Sequence, residues 1–375
     1  MEIDRRTLLA LLAGGAAWPL WPARLRAAAQ QGHKRLYLSA RAAEDGSFRI
    51  SGFSETGAPA FDLALPGRGH SLAVRPSGGE AVFFARRPGA FAKVVDLRGG
   101  KLLREIAAPE DRHFYGHGVF SAGGRMLYAP ENDFAAGRGV LGVYDATAGY
   151  ARVGELPSHG AGPHDVKLLS DGTTLAVANG GIQTRPDLPR VKLNVPTMAP
   201  SLAYIDRRDG SLLQEVKLAP ELHQLSIRHL ALGAEDRVAV AMQYEGPKGD
   251  TVPLVFTHRG REQAQILDDM PSVTKAMDHY CGSTVFDVEG RVLAVSSPRG
   301  GLVAFWDVSA GKFLSKIEFP DVCGIAPAGK PGSFIASSGR GGALEVDARR
   351  GSSRRIVSDF LESARWDNHM AAVEI

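Results

Sequence analysis

The chain has 375 residues and a formal net charge of +3, with 44% hydrophobic and 23% charged residues. This is the composition of an ordinary globular protein. Positive and negative charges nearly balance, and no basic stripe alternates with aromatic residues, so nothing indicates nucleic-acid binding. The high content of glycine and proline, 44 and 22 residues, indicates many short strands joined by tight turns.

The first 29 residues are typical of an export signal. Arg5 and Arg6 precede an apolar stretch over residues 8–20, and an Ala-Ala-Ala run follows as a cleavage site. We predict a twin-arginine signal over residues 1–29, a single mature domain over residues 30–375 and a periplasmic location. The apolar stretch is short for a membrane span, so none is expected in the mature form. An uncleaved N-terminal anchor is the alternative.

An internal repeat organises the mature chain. Aspartate accepts hydrogen bonds from turn amides and glycine tolerates positive φ, so Asp followed by Gly four residues later, between two apolar runs, predicts a hairpin turn. A second hairpin precedes each such turn, and four strands in roughly 40 to 50 residues are the pattern of a β-propeller blade. The Asp-Gly pairs are Asp96 and Gly100, Asp145 and Gly149, Asp206 and Gly210, Asp307 and Gly311, and Asp347 and Gly351.

The two chain ends supply one more blade. Six units, one of which lacks the aspartate, occupy residues 67–366, while residues 34–65 contain three strand-like runs and the C-terminal HMAAVEI contains a fourth. Joining the ends in one sheet removes a free strand edge. We therefore predict an all-β, seven-bladed propeller whose last blade is closed by N-terminal strands plus the C-terminal strand.

Histidines recur at the start of the predicted first strands, and cysteines take the same place in two units. First strands line the central channel of a propeller, so equivalent residues face one another across its axis. Imidazole and thiolate together suit copper, iron or zinc. The predicted metal or ligand-binding residues are His70, His117, His164, His229, His279, Cys281, Cys323 and His369.

Two alternatives remain open for these side chains. In WD40-like repeats a Gly-His pair at this place bonds side chains of its own blade, which would make the histidines structural. Cys281 and Cys323 fall in neighbouring blades and could form a disulfide in an oxidising compartment.

Loops between the second and third strands open on the same face and are rich in glycine and arginine. A guanidinium beside exposed backbone amides can hold a carboxylate or phosphate, although a solvated hairpin tip has the same composition. The longest loop, residues 180–200, contains four prolines and is predicted to lie as a stiff flap over the channel mouth and the ligand. The predicted anion-binding residues are Arg185, Arg190, Lys192, Arg299 and Arg340.

Several motifs together resemble a known family. HFYGHGVFS, GPHDVKLLSDG, ANGGIQTRPDLPRVKLN, SIRHLAL, SSPRGG and WDNHMAAV resemble the bacterial family catalogued as domain of unknown function 1513, over residues 34–373. The run PHDVKLLSDGTTLAVAN also resembles YVTN-type propellers and the quinoprotein amine dehydrogenase-like superfamily. The resemblance implies a periplasmic propeller with a role in iron handling, beside imelysin-like iron-regulated proteins and di-haem oxidoreductases as partners.

Three functions are compatible with these features. The first is a non-catalytic propeller that binds iron, copper or an anionic metal complex in a His/Cys-lined central funnel. The second is a redox metalloenzyme that uses the same funnel, for which the only candidate acids are Asp165, Asp278 and Asp367, each next to one of the recurring residues. The third is a protein-interaction scaffold with structural histidines. The direction of the imidazoles distinguishes the third function from the other two.

Overall fold

The computed structural model describes residues 35–375, except residues 77, 88, 189 and 190. These residues form 29 strands in seven sheets. The first half of the strands comprises β1 (Leu36–Ala42), β2 (Phe48–Ser54), β3 (Pro59–Leu65), β4 (Gly69–Val74), β5 (Glu80–Ala85), β6 (Phe91–Asp96), β7 (Lys101–Ala107), β8 (Arg112–Phe114), β9 (Val119–Phe120), β10 (Met126–Asp133), β11 (Arg138–Asp145), β12 (Ala151–Pro157), β13 (Pro163–Leu168) and β14 (Thr174–Asn179). The second half comprises β15 (Ser201–Asp206), β16 (Leu212–Val216), β17 (Leu225–Leu232), β18 (Val238–Tyr244), β19 (Val255–His258), β20 (Gln265–Ile266), β21 (Ser283–Phe286), β22 (Val292–Ser297), β23 (Leu302–Asp307), β24 (Lys312–Glu318), β25 (Val322–Pro327), β26 (Ser333–Ser338), β27 (Ala343–Asp347), β28 (Ser352–Arg355) and β29 (Arg365–Val373).

Helical structure is confined to connections between strands. Two short α-helices are α1 (Pro271–Ala276) and α2 (Asp359–Ser363), and single 3-10 turns occur at Ala146–Ala148, Val195–Thr197, Pro220–Leu222 and Ala234–Asp236. None of the helices in the described part of the chain is long and apolar enough to cross a membrane.

Each sheet is one blade of a propeller. Blade 1 has the order β29-β1-β2-β3, and blade 2 contains β4 to β7. Blade 3 contains β8 to β12, and blades 4 to 7 follow with four strands each. The inner strands contact one another in a closed ring, β29, β4, β9, β13, β17, β21, β25 and back to β29. The predicted seven-bladed propeller is therefore confirmed.

The closure by both chain ends is confirmed as well. β29 pairs antiparallel with β1, with Leu36 opposite Val373 and Leu38 opposite Ala371. The C-terminal strand is thus the innermost strand of blade 1, and it covers the inner edge of β1.

The Asp-Gly turns form as expected from local chemistry. Asp96 accepts hydrogen bonds from the amides of Arg98 and Gly99, and Asp145 from those of Thr147 and Ala148. The glycines at the ends of the five turns have φ between 57° and 78°, in the left-handed region that a side chain disfavours. Each turn joins the third and outermost strands of its blade.

The core lies between neighbouring blades. The outermost strands, such as β7, are largely exposed, whereas the second and third strands, such as β5 and β6, are buried on both faces. Aromatic side chains such as Phe84, Phe305 and Trp306 fill the spaces between sheets. The wedge-shaped packing holds the inner strands at fixed positions around the channel.

The predicted export signal lies outside the described residues.

Candidate metal centre

Five histidines from five blades meet in the middle of the channel. They are His70 of β4, His117 between β8 and β9, His164 of β13, His229 of β17 and His369 of β29. The centroid of the His117 ring lies 4.6 to 5.7 Å from the centroids of the other four rings. The imidazoles therefore point towards one another and not into their own blades.

Irregular pairing of the inner strands places these side chains. The register against the second strand shifts at His70, at His164, next to His229 and at the segment of β29 that contains His369. A β-bulge adds an unpaired residue and turns a side chain away from the regular alternation. The bulges explain how residues on half-buried strands reach the channel axis.

Blade 3 is interrupted most strongly. Its inner strand breaks between Phe114 and Val119, and His117 lies in the break. The preceding Gly116 has φ of +100°, and a Cβ atom there would lie 2.5 Å from Cδ2 of His70. Glycine is thus required on both counts, since the backbone is strained for other residues and the ring of His70 occupies the space. This contact lets His117 stand at the centre of the cluster.

Several ring nitrogens of the cluster are buried without a hydrogen-bond partner. Among the described residues no partner exists for Nε2 of His117, Nδ1 of His164, both nitrogens of His229 or Nε2 of His369. Buried polar atoms in folded proteins are nearly always paired, and each unpaired one costs about 1–3 kcal/mol. Unpartnered atoms concentrated at one point therefore indicate a site for a ligand.

Two aspartates support the cluster from behind. Oδ1 of Asp367 lies 3.4 Å from Nδ1 of His70, and Oδ1 of Asp165 lies 3.3 Å from Nδ1 of His117. A carboxylate at Nδ1 favours the tautomer with the proton on Nδ1, so we assign the lone pair to Nε2. Carboxylate behind imidazole is the usual support of a metal-binding histidine.

Both carboxylates are ionised. Burial alone would raise the pKa of Asp165, but Lys167 and His117 hold its pKa well below the usual range. Burial also opposes ionisation of Asp367, whose pKa is nevertheless lowered to about 2 by His70 and by Arg68 and Arg86. They can therefore stabilise positive charge placed on the histidines.

Four of the five imidazoles are neutral. Burial lowers the pKa of His70 to about 4, against the favourable effect of Asp367. Burial and the neighbouring imidazoles lower the pKa values of His164, His229 and His369 well below the usual value. Neutral imidazole is the form that binds metal, so no proton has to leave these rings at neutral pH.

The nitrogens are close enough to share one ion. Two sets of three have their ligand atoms within 4.8 Å of one another, one formed by His70, His117 and His369 and one by His117, His164 and His229. With metal–nitrogen bonds of about 2.0–2.1 Å, two nitrogens on opposite sides of an ion lie about 4 Å apart. Small side-chain rotations would close either set. Both sets include His117.

Cavities reach the cluster from both ends of the channel. One cavity, of about 780 Å³, lies on the side of the loops that carry Lys192 and Arg299 and is called the upper cavity; its lining includes His70, His164 and His229. The other, of about 320 Å³, is called the lower cavity and is lined by His117, His229 and His369. The cluster therefore separates the two cavities, each of which borders some of its rings.

Comparison with known proteins places this chain in a family. The family described as "Protein of unknown function (DUF1513)" matches residues 63–373, which include all five histidines. The chain belongs to this family. Its predicted membership is thus confirmed, and the printed description assigns no activity to the family.

Solved structures show the same fold. The chain is similar to "Kuenenia stuttgartiensis Hydrazine Synthase", with 14% sequence identity, a TM-score of 0.60 and coverage of 86% of this chain and 95% of that chain. At this identity the likeness supports the propeller fold alone. No curated protein matches the chain.

In this member of the family, three of the predicted ligand residues lie apart from the cluster. Nε2 of His279 bonds the backbone carbonyl of Asp250 at 2.7 Å. Cys281 and Cys323 are free thiols, not a disulfide, and belong to neither set of ligand atoms among the described residues. Burial raises the pKa of Cys281 to about 12, and burial with the nearby Asp321 carboxylate raises the pKa of Cys323. Both thiols are therefore protonated at neutral pH and are poor metal ligands in that form.

The predicted anion-binding residues separate into groups. Lys192 and Arg299 line the upper cavity. Arg185 pairs with Asp187 and lines a different cavity, and Arg340 lies in a groove beside Arg299 outside the channel. Arg190 is outside the described residues. Of the described residues of the 180–200 loop, Lys192 lines the upper cavity, and the predicted flap stays a prediction.

Sequence reasoning missed most of the cavity's charge. Arg68, Arg86, Arg87 and Arg228 also line the upper cavity. The sequence contains a signal for two of them, because Arg68 stands two residues before His70 and Arg228 directly before His229. The positioning roles of Asp165 and Asp367 were also missed, although both were noted as acids.

Proposed function

We propose that this protein binds one transition-metal ion at the histidine cluster and serves in the handling of iron or copper in the periplasm. The observation that carries the proposal is the cluster of five buried imidazoles, four of which have ring nitrogens without partners and two of which are backed by carboxylates. Imidazole donors suit copper, iron, zinc and nickel, among which copper binds most tightly by intrinsic affinity.

One ion per chain follows from the shared ligand. Both possible sets need His117, and Asp165 lies against its Nδ1, so only Nε2 remains for a metal. The convergence of rings on the axis supports binding over a scaffold with blade-internal histidines. Export by the twin-arginine route belongs to the proposal on the strength of the N-terminal sequence.

A redox enzyme is the second candidate. The observation in its favour is the upper cavity of about 780 Å³ beside the histidines, which has room for a substrate next to a bound ion. Copper-loaded protein that is reduced and reoxidised repeatedly, with turnover of an added electron donor, would favour this candidate over simple binding.

Metal titration tests the proposal. Chelator-treated protein is titrated calorimetrically with Cu²⁺, Zn²⁺ and Co²⁺, and bound metal is measured by elemental mass spectrometry. We expect one ion per chain in the wild type, loss of binding in His117→Ala and unchanged binding in His279→Ala. Of these two histidines, His117 belongs to the cluster and His279 does not. Equal binding by both variants, with equal thermal stability, would refute the proposal.

A further inference from the structure

The upper cavity carries a marked positive charge. The cations that line it include Arg68, Arg86, Arg228, Arg299 and Lys192, and no carboxylate residue is among its described lining. A concave site with one sign of charge and walls of low dielectric constant attracts ions of opposite sign.

Nearby carboxylates neutralise only part of this charge. Asp367 pairs with Arg68 and Arg86, at 2.5 and 3.6 Å. Glu245 pairs with Lys192 and, at 3.8 Å, with Arg228. The fifth cation, Arg299, lies over the ring of Tyr280 at 4.5 Å from its centroid. These two carboxylates do not balance the five cations, so the lining keeps an excess of positive charge.

One of the guanidiniums is buried and incompletely bonded. The side chain of Arg228 is 11% exposed, and its Nε has no hydrogen-bond partner among the described residues. Arg228 directly precedes His229 at the bulge of β17, and both line the cavity. A donor is thus available next to the ring nitrogens that we assign to the metal, which is where an anion bound to that metal would lie.

The size and chemistry of the cavity select the kind of anion. A volume of about 780 Å³ exceeds the needs of a single inorganic oxyanion and matches a small organic molecule. A planar guanidinium can bind a carboxylate through two parallel hydrogen bonds. A cavity with several guanidiniums therefore suits an anion with several carboxylates. The histidine set offers nitrogen donors alone, so a carboxylate oxygen would add the hard ligand that iron favours.

We infer that the upper cavity binds a small organic di- or tricarboxylate, one carboxylate of which completes the coordination of the ion while the others are held by arginines. This inference rests on the proposed metal site. The protein would accordingly take its metal as an anionic carboxylate complex, through the mouth that Lys192 and Arg299 flank.

Cobalt provides a visible probe of the coordination. Co²⁺ is loaded first and its amount is measured, and propane-1,2,3-tricarboxylate, a weak chelator in solution, is then added at constant ionic strength. Calorimetry gives its affinity, and the d–d absorption reports whether a new ligand reaches the ion. Acetate and inorganic phosphate are the comparison anions.

We expect the tricarboxylate to change the cobalt spectrum and to bind at least about tenfold more tightly than acetate or phosphate, because several charge-assisted bonds form at once. Arg86→Gln and Arg299→Gln should each weaken its binding about tenfold. The matched control is Arg354→Gln, since Arg354 lies exposed on the outer strand of blade 7 and pairs with Glu345. Its affinity should equal that of the wild type.

The other outcomes separate the two proposals. If cobalt loads but the tricarboxylate does not bind, the inference is overturned and the metal site stands. Equal affinity with and without cobalt and an unchanged spectrum overturn the coordination step, and phosphate binding as tight as the tricarboxylate overturns the carboxylate class. If cobalt does not load, the same experiment is made with Cu²⁺, which binds nitrogen donors more tightly and also has d–d absorption. If copper does not load either, the proposed function fails before any anion is added, and the inference falls with it.

Discussion

Blades 6 and 7 place a cysteine where the other five blades place a histidine, and the two groups of side chains differ in their bonding. Sγ of Cys281 lies 3.7 Å from the carbonyl of Leu254, and Sγ of Cys323 lies 3.2 Å from the carbonyl of Asp321. The histidine rings instead leave buried nitrogens without partners. The same position in the repeat thus has two kinds of bonding, and the unpartnered nitrogens distinguish the histidine group, which we propose as the metal site.

The largest expected effect comes from filling the space beside His117. Gly116→Ala should lower metal affinity on the order of 100-fold or more, since the added Cβ displaces His70 and strains the segment that carries His117. Gly137→Ala is the matched control, because Gly137 has φ of +66° but open space around its Cβ position. That variant should lose about 1 kcal/mol of stability and no affinity. Equal affinities of the two variants, measured calorimetrically, would show that the packing of Gly116 on His70 does not shape the site.

A smaller effect is expected from the supporting carboxylate. Asp165→Asn should weaken metal binding about 10- to 100-fold, because the amide stabilises neither the tautomer of His117 nor positive charge on its ring. Asp171→Asn changes a carboxylate that bonds only its own exposed turn, so its affinity should match the wild type. Metal titration with both variants checks this, and a wild-type affinity in Asp165→Asn would remove the carboxylate from the account of the site.

Acid should destabilise the metal-free protein. The pKa of His70 is about 4 in the folded state and about 6.5 in the unfolded chain, so unfolding takes up protons between these values. Stability is therefore complete above pH 6.5 and falls on acidification towards pH 4, by up to about 1.4 kcal/mol per pH unit for each such histidine. The lowered pKa values of His164, His229 and His369 act in the same direction.

Denaturant unfolding at several pH values measures this slope. His70→Gln should reduce it by about one proton between pH 6.5 and 4. An unchanged slope in this variant would mean that His70 does not contribute as its burial predicts.

The smallest effect should come from the two cysteines. Cys281→Ala and Cys323→Ala should leave metal affinity unchanged, since neither thiol belongs to a ligand set and burial raises the pKa of both. Iodoacetamide should modify neither thiol in the folded protein, because alkylation needs an accessible thiolate. Loss of affinity in either variant would erase the distinction between the two groups of blades.

Local chemistry made the architecture predictable from the sequence. The Asp-Gly turns depend on a few consecutive residues, as the hydrogen bonds of Asp145 to Thr147 and Ala148 show. Regular spacing of such turns yields the number of strands, and the leftover runs at the two ends yield the blade that closes the ring. The recurrence of histidine also followed from the sequence, because it is a property of the repeat.

Only the tertiary structure decided which of those residues meet. His70 contacts Asp367 across 297 positions of sequence, and Asp165 of blade 4 bonds the amide of Leu230 in blade 5. The direction of a side chain at a bulge depends on pairing with strands distant in the sequence, so no local pattern distinguished the converging imidazoles from His279 or the two thiols. The excess charge of the cavity has the same origin, since its arginines and Lys192 come from four separate blades and become one site only when the ring closes.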